Sequence, residues 1–326
     1  MDRRVTVVYL AGFGRSGSTL VERALGACPG WANVGELVDL ARSVAPRDER
    51  CGCGAAFSTC PVWAQVGQRA FGGWHAGRLT AIADLQRQTA RQRHLPGMLA
   101  RARARRPARG IVRDLAAAYA AVIRAFAEVT ESRVVVDASK GPAFGMALAA
   151  SPSLDVRFLH VVRDPRAVAW SWMQRVERPH APGRHDEMWR IRVGRSAAQW
   201  TGLQLEAEAV RRLSGLPNAR LRYEDLLQDP ALALIRAGAE LGLPLAPGDL
   251  SHVQGHRLHL DPSHGLSGNP SRFEVGQVDL RADERWRSAM PPRDRAVATA
   301  LSVPLLAAYG YPVATRPTRP STRRNP

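Results

Sequence analysis

Lysine is nearly missing from this 326-residue chain: of 46 basic side chains only Lys140 is a lysine, and the rest are arginine. Set against 29 acidic residues, these leave a formal charge of +17, which is compatible with nucleic acid or an anionic membrane as a partner. The arginines are scattered over the whole length, however, and no basic-aromatic module of the known nucleic-acid-binding types occurs. The excess therefore reads as a compositional bias, and no nucleic-acid partner is expected. No apolar run approaches the roughly 20 residues that a bilayer span requires. Met1-Asp2-Arg3-Arg4 leads straight into a strand pattern without the features of a signal peptide, so a cytoplasmic chain with no transmembrane segment is expected. Internal repeats are absent. Biased composition is confined to residues 315–326, where proline, threonine and arginine alternate as a solvated basic tail.

Cysteine is scarce as well, with four in all, and three of them fall in Cys51-Gly-Cys53 and Cys60-Pro-Val-Trp63. This spacing matches neither common paired zinc pattern. A metal would need Cys28 or His75 as fourth ligand, and a single disulfide is the other alternative. Local loop packing is the expected role of Cys51, Cys53 and Cys60, and no metal is expected.

The residues present in quantity support a sizeable core: 45% are hydrophobic, enough for one large α/β domain or two smaller ones. Val5–Leu10 is rich in β-branched and apolar residues, Gly12, Gly14 and Gly17 break the run, and Leu20–Leu25 resumes at helical spacing. Strand, glycine turn and helix follow one another. A turn of this kind aims backbone N–H groups and the positive end of a helix at one spot, which suits a phosphate or similar anion. A glycine-rich connection without a ligand would read the same way. Gly12 and Gly17 have the separation of a nucleoside-triphosphate loop, but Ser18 stands where such loops carry lysine, and Thr19 alone would have to hold magnesium. A kinase or GTPase is thereby disfavoured. The cation lies earlier, at Arg15, placed to meet an anion from the side.

Further strands are predicted at Trp31–Glu36, Arg133–Asp137, Asp155–Val162 and Asn218–Tyr223. Helices are predicted at Ala167–Val176, Asp186–Leu213 and from Glu224 to Leu241. Residues 62–130 are mostly helical in pattern, including the arginine-rich run 101–106, which reads as a solvated helix face. Strands alternating with helices imply a parallel sheet that binds ligands at the carboxyl ends of its strands. Gly12–Thr19, Glu36, Asp137–Lys140, Arg163 and Tyr223 all fall at such ends. Beyond Arg163, Ser171 and Arg175 stand one helical turn apart, so three donors can converge on a second anion.

On these residues the sequence resembles the sulfotransferases that use 3′-phosphoadenosine 5′-phosphosulfate. Gly14-Arg-Ser-Gly-Ser-Thr-Leu20 is similar to the family's loop for the 5′-phosphosulfate, and Arg163 with Ser171 has its spacing for the 3′-phosphate. Arg-Tyr-Glu-Asp-Leu at 222–226 and His264-Gly-Leu-Ser-Gly-Asn-Pro-Ser-Arg272 are similar to its later nucleotide-contacting segments. The likeness covers about residues 5 to 290 and is nearest to the branch with Arg-Ser-Gly in the loop, which includes tyrosylprotein sulfotransferases and many bacterial enzymes. It implies an α/β, P-loop-like three-layer fold with a central parallel sheet, helices on both faces and a helical substrate-side insertion at about 62–130, within one domain over 1–314.

The resemblance also implies roles. Gly35-Glu36 is similar to the site of the branch's catalytic base, and Asp137-Ala-Ser-Lys140 to the segment that supplies its catalytic lysine. Glu36, Lys140 and Arg15 are the implied catalytic residues. Gly14, Arg15, Ser16, Gly17, Ser18, Thr19, Arg163, Ser171, Arg175, Tyr223, Asn269 and Arg272 would bind the donor, without a required metal. The helical insertion and the Cys51–Cys60 segment resemble bacterial members and argue against a protein-tyrosine acceptor, so a small-molecule, glycan or lipid hydroxyl is expected. A nucleotide-dependent kinase with a degenerate loop and a non-catalytic anion-binding protein are the alternative readings.

Overall fold

The apolar, β-branched runs form a five-stranded parallel sheet in the computed structural model, which describes residues 4–180 and 186–313. Its strands are β1 (Val5–Ala11), β2 (Trp31–Gly35), β3 (Val134–Lys140), β4 (Leu154–Val162) and, after the hairpin of β5 (Glu177–Arg178) with β6 (Asp186–Glu187), β7 (Asn218–Arg222). The spatial order is β2-β3-β1-β4-β7. A three-stranded antiparallel sheet, β8 (Val253–Gln254), β9 (Arg257–Leu260) and β10 (Gly276–Asp279), lies later in the chain. The tail expected at 315–326 lies outside the described residues.

Both sheet faces are covered, as unbroken apolar strands demand. Val8 and Leu10 of β1 pack with Val21, Ala24 and Leu25 of α1 (Ser18–Gly26). Val7 and Tyr9, on the alternate positions, face the opposite core. There the 62–130 segment folds as α2 (Pro61–Phe71), α3 (Ala76–Thr89), α4 (Leu95–Arg103) and α5 (Gly110–Val129). Leu115, Tyr119, Val122, Ile123 and Phe126 of α5 join that core, so the segment is the layer over one sheet face. The helix after β3, α6 (Pro142–Ala149), is on this same side. The helices leaving β1 and β3 thus lie on opposite faces, and the carboxyl ends of these adjacent strands open a crevice between them.

Three helical expectations are corrected. The helix after β4, α7 (Pro165–Met173), stops three residues short of Val176 because Gln174 is extended (φ −71°, ψ 146°) and leads into β5. The long helix α8 runs from Val193 to Leu213, not from Asp186, because Asp186 and Glu187 pair with β5. Residues 223–240 form two helices, α9 (Tyr223–Gln228) and α10 (Pro230–Glu240). Pro230 cannot donate to the preceding turn, and Asp229 starts α10 by accepting from the Leu232 amide at 3.1 Å. The chain closes with α11 (Trp286–Ala289) and α12 (Pro292–Ala308), the latter packed along α8.

The exposed edge of β2 is closed by a backbone segment from far along the chain. The Leu266 amide donates to Val34 O at 2.9 Å and the Glu36 amide to Leu266 O at 2.7 Å. Gly35 lies between them with φ +79°, and a Cβ there would stand 2.2 Å from both Leu266 N and Leu266 O. Gly72, at the end of α2, has a similar φ of +71° with nothing within 4 Å of a Cβ. Gly35→Ala is therefore expected to cost about 3 kcal/mol or more, combining strain with a backbone clash, and Gly72→Ala only about 1 kcal/mol. Urea denaturation of the two variants checks this, and equal losses would mean that the contact at Leu266 yields without cost.

Candidate active site

The glycine turn after β1 is held in a conformation that only part of its sequence favours. Gly17 is left-handed (φ +86°), and Arg15 is a non-glycine residue at φ +69°. A side chain on Gly17 would meet the Tyr223 ring at 2.2 Å. Tyr223 in turn stacks on the guanidinium of Arg163, whose Cζ is 4.6 Å from the ring centroid. Arg163 Nη1 donates to Arg15 O at 3.0 Å, so the ends of β1, β4 and β7 are tied together through one arginine and one tyrosine.

What fixes Arg163 is the sequence around it. Asp164 caps α7 by accepting from the Arg166 amide at 2.9 Å, and it holds the Arg166 side chain at 2.9 and 2.6 Å. The Asp164 amide donates to Glu224 Oε1 at 3.0 Å, and Tyr311 donates to Glu224 Oε2 at 2.7 Å. Arg166 and Asp164 are buried and satisfy each other, which leaves Arg163 free to face outward. Neither Arg15 nor Arg163 forms an ion pair among the described residues. Arg15 Nε is buried without a hydrogen-bond partner, as is Ser16 Oγ. Burial pulls the Arg15 guanidinium down from its ordinary value, with Glu36 acting against this.

On the other side of the turn, Glu36 follows β2 and Lys140 ends β3. Lys140 Nζ forms an ion pair with Glu36 Oε1 and donates to Ala138 O at 3.2 Å. Lys140 is at φ +69°, next to an irregularity in the pairing of β1 with β3. Such irregularities re-aim side chains at functional rims. The wall beyond is the 266–272 loop: Ser267 donates to Asp39 Oδ2 at 2.7 Å, and Gly268 packs against Glu36.

These groups line one cleft of about 590 Å³, within the range of ligand sites. Unpaired guanidinium groups and backbone N–H donors occupy one part of it, and the Glu36–Lys140 pair another. An anion suits the first, and the second sets a carboxylate, a proton acceptor, beside a cation.

A model of the sulfotransferase family matches residues 8–247. The chain belongs to the sulfotransferase family. It is 28% identical over 182 residues to human carbohydrate sulfotransferase 3, a match covering 51% of this chain and 36% of that protein. The match thus spans about a third of the length of this relative. Among solved structures, the sulfotransferase domain of the Synechococcus PCC 7002 olefin synthase is 18% identical with a TM-score of 0.49, covering 96% of this chain and 97% of that one. The sulfotransferase STF9 of Mycobacterium avium is 11% identical with a TM-score of 0.46, covering 97% and 79%. Similarities at this level add no weight to the family match.

The sulfotransferase cleft gathers most of the residues singled out in the sequence. Gly14, Arg15, Gly17, Ser18, Thr19, Glu36, Lys140, Arg163, Ser171, Tyr223 and Asn269 line it. Ser16 sits buried just behind. Arg175 is not brought there: it lies past the end of α7, exposed and off the cleft lining, so its helical spacing from Ser171 does not exist. Arg272 is also off the lining, 2% exposed, and donates to Gly268 O at 3.3 Å and Arg50 O at 3.2 Å. It braces the loop from behind. Unanticipated lining residues include Asp39, Trp172, Arg178, Met188 and Trp189, while Ser267 comes from the 264–272 segment already singled out. Trp172 donates to Gly14 O at 3.1 Å, and the pair Trp170 and Trp172 flanking Ser171 was its one signal. No helix among the described residues is long and apolar enough to cross a membrane.

Two buried carboxyls lie behind the rim. Burial pushes Glu22 of α1 up to about 8, against a lowering by Lys140, and pushes Asp137 up to about 7, against hydrogen bonds from Ser139. Folded-state values above the unfolded ones mean that the native chain binds more protons, so these groups stabilise the fold at low pH. That contribution is lost progressively as pH rises from the ordinary carboxylate range to the folded values of about 7 and 8. The slope is at most about 1.4 kcal/mol per pH unit for each group. Glu22→Gln keeps an acceptor for Asn33, which donates to Glu22 Oε1 at 3.3 Å, but cannot ionise. It is expected to gain about 1 kcal/mol or more over the parent between pH 5.5 and 7.5. Urea titrations at several pH values test this, and a constant difference would show that Glu22 is ionised in the folded chain.

Proposed function

We propose that the chain transfers a sulfonate group from 3′-phosphoadenosine 5′-phosphosulfate to a hydroxyl of a small-molecule, glycan or lipid acceptor. The observation that carries this reading is one cleft with two unpaired, braced arginines at the glycine turn and a carboxylate–lysine pair beside them. Gly14–Thr19 amides and Arg15 would hold the 5′ end of the donor, and Arg163 with Ser171 the 3′-phosphate. The buried, unpartnered Arg15 Nε and Ser16 Oγ fit such an anion. A glycan acceptor draws support from the name of the human relative. Trp189, 83% exposed at the cleft rim, offers an apolar platform for the face of a sugar or lipid.

When bound, the donor supplies a sulfonate whose bond to the 5′-phosphate oxygen breaks as the acceptor oxygen attacks. Glu36 takes the hydroxyl proton, a contribution of roughly 10²–10⁴ in rate. Lys140 and Arg15 stabilise the charge that gathers on the leaving phosphate. The fixed cations do here what magnesium and a loop lysine do in nucleotide kinases.

Arg163→Ala is expected to weaken 3′,5′-bisphosphoadenosine about tenfold or more, since a charge-assisted hydrogen bond contributes roughly 1.5–3 kcal/mol. Adenosine 5′-phosphate should lose much less. Calorimetry with both ligands decides, and equal losses would remove Arg163 from the 3′-phosphate. For the reacting end, Glu36→Gln should lose roughly 10²–10⁴ in kcat and Lys140→Ala roughly 10²–10³, with bisphosphoadenosine affinity within about threefold of the parent. Lys140→Arg should recover only part. Rates with labelled donor and an acceptor found by screening metabolite extracts check this, and near-normal kcat in either deletion would move that role to another group.

A further inference from the structure

The folded chain brings together a fourth donor for the three clustered cysteines, and it is neither Cys28 nor His75. Cys28 sits in the opposite core, where its Sγ contacts Ala24 O at 3.8 Å, and His75 precedes α3. The fourth group is His264. Its Nδ1 lies 3.4 Å from Cys60 Sγ and 3.7 Å from Cys51 Sγ, and Cys53 Sγ is 3.8 Å from Cys60 Sγ. All four donor atoms fall within 4.8 Å of one another.

We propose that Cys51, Cys53, Cys60 and His264 form a structural zinc site. With zinc bonded to sulfur at about 2.3 Å and to nitrogen at about 2.0 Å, a tetrahedron sets S···S near 3.8 Å and S···N near 3.5 Å. The observed separations already approach these values. Three soft sulfurs and one imidazole in a closed, four-donor set favour zinc over harder cations. None of the four lines the cleft, so the metal has no part in the transfer step.

Two features of the surroundings point the same way. The donors are pre-positioned by backbone: the Gly54 amide donates to Cys51 O at 2.8 Å, the Cys51 amide to Ala55 O at 2.8 Å and the Cys60 amide to Ala56 O at 2.9 Å. His264 is held through its carbonyl, which accepts from Trp63 Nε1 at 2.9 Å. The second feature is charge. Arg272 is buried, forms no ion pair among the described residues, keeps Nε without a partner and lies within electrostatic reach of Glu49, Glu36 and Cys51. Zinc binding displaces three thiol protons and leaves three thiolates and a neutral imidazole on a dication, a net charge of −1. That anion would add to the carboxylates of Glu49 and Glu36 as counter-charge to the buried guanidinium.

The site would staple the Cys51–Cys60 loop to the loop that carries Ser267, Gly268 and Asn269. The Gly52 amide, which donates to Gly265 O at 3.0 Å, is the backbone part of the same junction. Zinc would therefore hold the wall beside Glu36 in place without touching the reacting groups.

The test is the metal content of the full-length chain purified without chelator, measured by plasma mass spectrometry together with its thiol count. About one zinc per chain is expected, retained in Cys28→Ser and reduced at least about tenfold in Cys60→Ser and His264→Ala, with the melting temperature lower by on the order of 10 °C. Because those variants can fail to fold, cobalt(II) exchange into the parent gives a second reading. Thiolate-to-cobalt charge transfer and tetrahedral ligand-field bands support the site. A folded parent with less than about a tenth of an equivalent of zinc and no such cobalt spectrum would overturn it, as would a Cys53–Cys60 disulfide by mass spectrometry. Full zinc retention in folded Cys60→Ser and His264→Ala would overturn this ligand set.

Discussion

Two backbone hydrogen bonds between Val34–Glu36 and Leu266 hold the cleft's far wall to the sheet. They form where β2 would otherwise end as an open edge, with unpaired N–H and C=O groups facing solvent. Leu266 adds a single bridged residue alongside Gly35, and the close approach is possible only because Gly35 has no side chain. From that contact the surrounding arrangement follows. Ser267 reaches Asp39, Gly268 meets Glu36, and Arg272 folds back to hold the loop's own carbonyl. His264, two residues before the bridge, is delivered to the cysteines. A loop with little secondary structure of its own is thus ordered by one strand end, one guanidinium and a cluster of sulfurs.

The opposite wall is ordered by charge, and there the cost of burial decides which arginines bind and which brace. Arg166 is fully buried and is matched by a carboxylate two residues away, with both oxygens of Asp164 engaged. Breaking such a pair leaves an uncompensated buried charge, so it is a structural element. Arg163 lies three residues earlier on the same strand-to-helix turn, where it contacts a carbonyl and an aromatic face and reaches Asp283 only at longer range, with no ion pair among the described residues. These neighbours orient a guanidinium without neutralising it. The contrast between two arginines in one tetrapeptide separates a brace from a site that can hold an anion.

The glycine turn, Glu36, Lys140 and Arg163 were legible in the sequence because each marks the carboxyl end of a strand, and strand ends of a parallel sheet share one rim. The parallel sheet with covered faces was legible for the same reason. Arg175 falls outside the cleft because the chain turns at Gln174 to form a hairpin that no alternation of apolar residues announces. His264 was out of reach in another sense. It meets Cys60 across 204 positions, and ligand spacing along the chain carries no information about a partner that arrives through tertiary pairing. Arg178 and Trp189 belong instead to the short hairpin region after α7, where no periodicity ties sequence to face.

The single lysine acquires a physical reading once its neighbours are known. Arg163, Arg166 and Arg272 each serve as planar forks, satisfying carbonyl or carboxylate oxygens in fixed directions while stacking on Tyr223, Trp286 or Phe273. Lys140 stacks on no ring among the described residues. Its Nζ is a point contact between Ala138 O and Glu36, on a residue whose backbone is left-handed at the end of its strand. A guanidinium is wider, fixed in plane and unable to turn its donors independently. The one lysine of this chain stands where a compact, rotatable cation meets a strand carbonyl and the carboxylate it pairs with.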